Sequence, residues 1–188
     1  MNIIKHHDNP LIELHENFLT GAECRHLLSL PVKFDRSKGW DKNTDKPHFH
    51  EARTSETAFA SNETKDLKLK IANYFSVPND TIEPLQLQRY GPGQQYRAHQ
   101  DFFHDGINLK NNRICTFILY LNEDFTGGAT EFPGLGFGIR PTAGSGLFFR
   151  YDYKDQAINE KTLHAGTPIV TGSKTIITAW FRKNKYKS

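Results

Sequence analysis

Arg113-Ile-Cys-Thr-Phe-Ile-Leu-Tyr-Leu121 carries apolar residues on both of its faces. Side chains alternate across an extended chain, so Ile114, Thr116, Ile118 and Tyr120 share one side and Cys115, Phe117, Leu119 and Leu121 the other. A strand without a polar face is covered twice, which makes this segment a predicted central strand of a buried sheet. Upstream, Leu85-Gln-Leu-Gln-Arg-Tyr90 alternates apolar and polar, Gly91-Pro-Gly93 turns the chain, and Tyr96 leads into another extended run. Downstream, Gly127-Gly128 breaks the chain, and short strands are expected over 128–132, 136–139, 146–150, 161–164, 168–170 and 173–183.

The first part of the chain reads differently. Thr20-Gly-Ala-Glu23 has the form of a capping box that opens a short helix through Leu27, Leu28 and Leu30, closed before Pro31. A second helix is expected over 63–75, with Leu67, Ile71 and Phe75 stacked on one face and Val77-Pro78 ending it. Between them, 35–55 is polar and reads as a long loop able to fold over a site. Residues 1–7, including His6 and His7, show no strand pattern. At 188 residues the chain is expected to form one domain, with a helical part over about 1–80 and a core over about 84–183. Two helices before about eight short strands make a mainly β fold: a double-sheet jelly roll, or double-stranded β-helix, closed around a pocket.

Composition excludes more than it assigns. A net charge of +3, with Lys183, Lys185 and Lys187 bunched at the tail, is too small and too local for a nucleic-acid surface. No run approaches membrane-spanning length, and the first residues lack the apolar stretch of a signal peptide, so a cytoplasmic protein is expected. Cys24 and Cys115 fall in apolar patterns and read as reduced core residues. The oligomeric state is not written in the sequence.

The chemistry sits in His99-Gln-Asp101, answered by His164 and then by Lys174. Residues at i and i+2 of an extended segment point the same way, so His99 and Asp101 can grip one ion while His164 supplies a third ligand. Two imidazoles and one carboxylate on one face leave three positions open, as a non-haem Fe(II) oxygenase requires. His6-His7-Asp8 repeats the triplet but lies in a polar run, and it reads as solvated surface. His48 and His50 have ligand spacing too, but on a polar loop they also read as surface. In the last strand Lys174, Ile176, Thr178 and Trp180 share a face. That face either looks into the barrel, where a lysine needs an anion, or is the solvent side of an edge strand. His164-Ala-Gly-Thr-Pro168 favours the first: the histidine ends one strand, the chain reverses, and the lysine begins the next.

The chain resembles the 2-oxoglutarate and Fe(II)-dependent prolyl 4-hydroxylases over nearly its whole length. The likeness runs through Asn17-Phe-Leu-Thr-Gly-Ala-Glu-Cys24, Arg53-Thr-Ser55, Gln88-Arg-Tyr90, Gln95-Tyr96, His99-x-Asp101, Gly127-Gly-Ala-Thr-Glu-Phe-Pro133, and His164-Ala-Gly-x-Pro168 with Lys174 and Trp180. The resemblance implies that His99, Asp101 and His164 hold Fe(II), and that Lys174 with Tyr120 binds the distal carboxylate of 2-oxoglutarate. It implies that Tyr90 and Thr116 line the cosubstrate pocket, and that Tyr96, Arg113, Trp180 and Glu83 surround a groove for a proline-containing peptide. O2 is then the second cosubstrate, and the family leaves room for ascorbate. Lids are expected near 35–55 and after Arg150. The implied reaction couples decarboxylation of 2-oxoglutarate to succinate with hydroxylation of a C–H bond, and the retained Asp101 argues against halogenation. The stretch 40–50 has no counterpart in the resemblance, so an oxygenase of a free amino acid, another small molecule or a nucleobase is the alternative. A non-catalytic jelly-roll module would have no reason to keep three ligands and a lysine together.

Overall fold

Thr20 and Glu23 close the expected capping box: the Thr20 hydroxyl accepts from the Glu23 N–H, and the Glu23 carboxylate accepts from the Thr20 N–H at 2.7 Å. The computed structural model describes residues 2–41, 46–48, 51–104, 110–140, 142–151 and 155–186. In chain order its elements are β1 (Asn2–His7), β2 (Ile12–Glu16), α1 (Gly21–Leu28), β3 (Asp35–Arg36), β4 (Gly39–Asp41), β5 (Lys46–His48), β6 (Glu56–Phe59), α2 (Lys65–Tyr74), β7 (Gln86–Tyr90), β8 (Tyr96–His99), β9 (Arg113–Tyr120), β10 (Thr126–Gly127), β11 (Thr130–Phe132), β12 (Phe137–Ile139), β13 (Gly146–Arg150), α3 (Gln156–Lys161), β14 (His164–Gly166), β15 (Ile169–Thr171) and β16 (Lys174–Arg182).

Among the described residues the main sheet runs β1-β2-β13-β9-β16-β7-β6-β3, and a smaller one runs β12-β11-β14-β8. β9 lies between β13 and β16 and is the central strand the sequence predicts. Its two faces serve two cores. Phe117 and Leu119 pack with Ile177, Ala179 and Phe181 of β16 against Leu67 and Ile71 of α2. Ile118 and Tyr120 pack with Ile176 and Phe149 against Phe132 and Ile139 of the smaller sheet. The pocket opens from this second core, between the sheets, as a jelly roll requires. Cys24 and Cys115 are both free and buried. No helix among the described residues is long and apolar enough to cross a membrane.

Three local expectations need correction. The N-terminal part is not only helical, since β1, β2 and β6 join the main sheet. β1 is an edge strand paired to β2 alone, and its side chains are almost all exposed, so no alternation marks it in the sequence. The strand expected over 161–164 is instead the end of α3, with a strand beginning at His164. Asp155 caps that helix by accepting from the N–H groups of Ala157 and Ile158, and six residues are too few to leave a helical period. Within the loop expected over 35–55, β4 and β5 pair as a hairpin, of which only the backbone is described; His50 and residues 152–154, on the two expected lids, lie outside the described residues.

Candidate active site

β8 and β14 are neighbours in the smaller sheet, and His99 and His164 are register partners across them. Asp101 follows two residues after His99, just past the end of β8. Its Oδ1 lies 3.5 Å from His99 Nε2 and its Oδ2 lies 3.6 Å from His164 Nε2. One ligand atom from each residue falls within 4.8 Å of the others, and this is the one such group of three among the described residues. The triplet at His6 belongs to no such group.

The histidines are set for the task by their own backbones. His99 Nδ1 lies 2.8 Å from the Arg97 carbonyl, and His164 Nδ1 lies 2.9 Å from the Thr162 carbonyl. A carbonyl only accepts, so Nδ1 carries the proton in both rings, and in a neutral ring so tied Nε2 is the atom with a lone pair for a metal. Burial and the neighbouring His99 push the His164 pKa down to about 4, so this imidazole is neutral at pH 7. Burial raises the Asp101 pKa, but in the acid range where a carboxyl titrates the charge of His164, the hydrogen bond and charge of His99 and the charge of Arg113 outweigh burial, hold the pKa well below the ordinary range and leave Asp101 ionised at pH 7. Neutral imidazole with ionised carboxylate is the protonation state in which such a set coordinates. The donor chemistry therefore fits Fe(II), with His99, Asp101 and His164 as its protein ligands.

Across the pocket stands Lys174, 4% exposed at the start of β16. β16 lies between β9 and β7, so the edge-strand alternative for Lys174 is excluded. Its Nζ donates to the Gly128 carbonyl at 2.6 Å and lies 5.3 Å from the Tyr120 ring and 5.9 Å from the Tyr90 ring. No carboxylate among the described residues pairs with it, and burial alone brings its pKa down to about 7. An amine held out of water without a counter-ion is a receptor for an anion. Gly128 makes the approach possible. It has φ +66°, and a Cβ there would meet Ile169 Cδ1 at 2.5 Å and Lys174 Cδ at 3.3 Å.

The remaining expected residues divide into pocket wall and backing. Tyr90, Tyr96, Lys174 and Trp180 line the pocket. Tyr96 stacks on His99 with ring centroids 3.4 Å apart. Trp180 is buried, and its indole N–H has no hydrogen-bond partner among the described residues. Tyr120, Thr116, Arg113 and Glu83 stand behind. Tyr120 bonds the hydroxyl of Thr130, which does line the pocket. Thr116 donates to Asp101 Oδ2 at 2.8 Å, not to the cosubstrate side. Arg113 lies 3.9 Å from the Trp180 ring centre and donates to the Asp101 carbonyl at 3.0 Å. Glu83 grips Arg113 through both carboxylate oxygens, at 2.7 and 2.9 Å, and also accepts from Arg182 at 2.5 Å.

Sequence reasoning missed four residues here. Gln88 and Thr130 line the pocket, and Gln88 takes the Tyr90 hydroxyl at 2.9 Å; the parity of β7 and β11 could have found both. Arg53 lies 5.0 Å from the Tyr96 ring and donates to Gln86 at 2.6 Å, and Tyr151 donates to Asp101 at 3.1 Å. The Arg53-Thr-Ser55 stretch carries the resemblance without announcing this contact, and no local pattern announces Tyr151.

The sequence profile of the 2OG-Fe(II) oxygenase superfamily matches residues 85–182. Probable prolyl 4-hydroxylase 4 and prolyl 4-hydroxylase 2 of Arabidopsis thaliana are 30% and 31% identical to the chain over 206 aligned residues, covering 94% of it and 69% of each relative. The fold is similar to that of the viral collagen prolyl hydroxylase from Paramecium Bursaria Chlorella virus-1 in its 2OG complex, with a TM-score of 0.63 and 27% identity over 91% of this chain and 95% of that one. Profile, relatives and fold agree with the ligand triad and the buried lysine: the chain belongs to the 2OG-Fe(II) oxygenase superfamily, within it to the prolyl 4-hydroxylase family, and is a 2-oxoglutarate-dependent dioxygenase.

Proposed function

We propose that the protein hydroxylates proline within a peptide, converting 2-oxoglutarate and O2 to succinate and CO2 as one oxygen atom enters the proline C–H bond. The observation that carries the reading is a pocket with His99, Asp101 and His164 on one wall, Lys174 without a carboxylate partner among the described residues on another, and Tyr96 and Trp180 at its aromatic side. Fe(II), when bound, supplies the activation of O2. The chain supplies the rest. Lys174, with Tyr120 behind Thr130, holds the distal carboxylate of 2-oxoglutarate in a dry site. Tyr90 and Thr130 shape the space around it, and Thr116 steadies Asp101. Tyr96 and Trp180 flank the proline ring, and the indole N–H is a donor kept for an acceptor on the substrate. Arg113 and Glu83 hold Trp180 in place from behind. A polyproline II segment suits this wall because it is already extended and loses little entropy on docking. The free thiols Cys24 and Cys115 support a cytoplasmic setting.

The test is incubation of the iron-loaded protein with proline-containing peptide pools, 2-oxoglutarate and O2, reading succinate and peptide mass together. A one-oxygen gain mapped to proline is the expected result. A gain mapped only to other residues or to small molecules would replace the prolyl reading and leave the oxygenase intact.

A further inference from the structure

Asp101 Oδ2, the Thr116 hydroxyl and the Tyr151 hydroxyl form a closed triangle. Thr116 donates to Oδ2 at 2.8 Å, Tyr151 donates to it at 3.1 Å, and the two hydroxyls touch each other. All three residues are buried. The hydroxyls come from the main sheet: Thr116 lies in β9, and the Tyr151 N–H extends the β9–β13 ladder by donating to the Ile114 carbonyl at 2.9 Å. Asp101 belongs to the segment beyond β8 of the smaller sheet. The triangle is thus a polar bridge between the two sheets, ending on one oxygen of one carboxylate.

Proton counting limits what it can do. An ionised carboxylate has no proton to give, and two hydroxyls bring two protons to three contacts. Whichever way the hydroxyls rotate, at least one proton ends on Oδ2. That oxygen is therefore engaged from the main sheet while it faces His164 Nε2 at 3.6 Å, and Oδ1, which takes no hydroxyl from this bridge, faces His99 Nε2 at 3.5 Å. We infer that Thr116 and Tyr151 are positioning residues that hold the Asp101 carboxylate, through Oδ2, in the orientation that turns it toward His99 and His164 as a metal ligand. The inference rests on the reading of His99, Asp101 and His164 as metal ligands. Ligand-orienting partners of this kind are worth about 10- to 100-fold in metal affinity.

The experiment titrates metal-free protein with Mn(II), following free Mn(II) by electron paramagnetic resonance, and records the visible absorption of the Co(II) form. Tyr151→Phe removes one oxygen and keeps the ring against Phe149 and Phe102, so packing is retained. It should weaken Mn(II) binding about tenfold and alter the Co(II) spectrum, with the thermal midpoint of the metal-free protein little changed. Thr116→Val should weaken binding similarly, and Thr116→Ser, which restores the hydroxyl, should return it to the parent value. Parent-like Mn(II) affinity and Co(II) spectrum in both Tyr151→Phe and Thr116→Val would overturn the inference, as would a Thr116→Ser protein binding no better than Thr116→Val. Failure of the parent itself to bind Mn(II), or undiminished binding in Asp101→Ala, would overturn the ligand assignment instead.

Discussion

His99 and His164 stand opposite each other in the ladder between β8 and β14, although 65 residues of sequence separate them. Pairing of the two strands therefore brings the two histidines of the candidate metal site together as a by-product of sheet formation. With both Nδ1 atoms tied to carbonyls on their own chain segments, the two Nε2 atoms converge without help from a flexible loop. A site assembled this way owes its arrangement to the sheet, and its behaviour follows from single groups that can be changed one at a time.

Metal dependence comes first. The protein is expected to bind one Fe(II) and to release succinate only when that ion and 2-oxoglutarate are both present. Asp101→Ala removes the anionic ligand and should abolish turnover while weakening the metal site. Full succinate release from a thoroughly chelated sample, or from Asp101→Ala, would refute the assignment.

Lys174 is expected to govern cosubstrate binding. Leaving a buried carboxylate unpaired costs on the order of 3 kcal/mol, so Lys174→Ala should weaken 2-oxoglutarate binding by about two orders of magnitude. Its pKa of about 7 adds a pH dependence with a definite sign. Above pH 7 the free enzyme carries a neutral amine, and the bound carboxylate favours the ammonium, so binding takes up a proton. Calorimetry at pH 8 in buffers of different ionisation enthalpy should report that uptake, and affinity should fall as pH rises from 7 to 9. Proton release, or an affinity indifferent to pH, would place the carboxylate elsewhere.

Trp180 separates substrate positioning from cosubstrate chemistry. Trp180→Ala leaves the three ligands and Lys174 in place, so peptide hydroxylation should fall much further than the slow conversion of 2-oxoglutarate to succinate without peptide. Equal loss in both reactions would make Trp180 part of the scaffold.

Glu83 is a sharper case, because it lies under Arg113 and Arg182 and not on the pocket wall. Glu83→Ala removes the carboxylate that the Arg113 and Arg182 guanidinium groups share and should destabilise the fold by about 3 kcal/mol. Chemical denaturation measures this. A variant as stable as the parent, with only its peptide KM raised, would return Glu83 to the groove.

The metal-free protein should lose stability on mild acidification. Burial lowers the His15 pKa against the pull of Glu13, and burial with His99 takes His164 to about 4. Both are lower in the folded chain than the ordinary 6.5, so below that pH the unfolded chain binds protons the folded chain refuses. Their contribution is complete above about pH 6.5 and is lost as pH falls toward 4. Thermal midpoints measured between pH 7.5 and 5 should decline. A flat profile, or one unchanged by His15→Phe, would remove His15 from the account.

Much of this was written in local sequence. The two-faced pattern of 113–121 fixes a central strand, the parity of 174–180 puts Lys174 and Trp180 on one face, and Thr20 with Glu23 opens a helix. These features survive because each depends on neighbours within a few residues, where pleat and hydrogen-bond geometry act directly. The ligand triad was also legible, since His99-x-Asp101 and the His164 segment state their chemistry by residue type and spacing. Other features were decided only when the sheets closed. β1 is an exposed edge strand that needs no apolar alternation, and α3 is too short to show a period. Thr116 could be assigned to the inner face of its strand, but its reach to Asp101 in place of the cosubstrate depends on how the two sheets pack. Tyr151 joins it from the residue just past β13, and Glu83 meets Arg182 across 99 positions. Such contacts are products of strand order and sheet-to-sheet register, which no local pattern encodes, and so the sequence named the candidate iron ligands while the tertiary structure decided which residues pack against them.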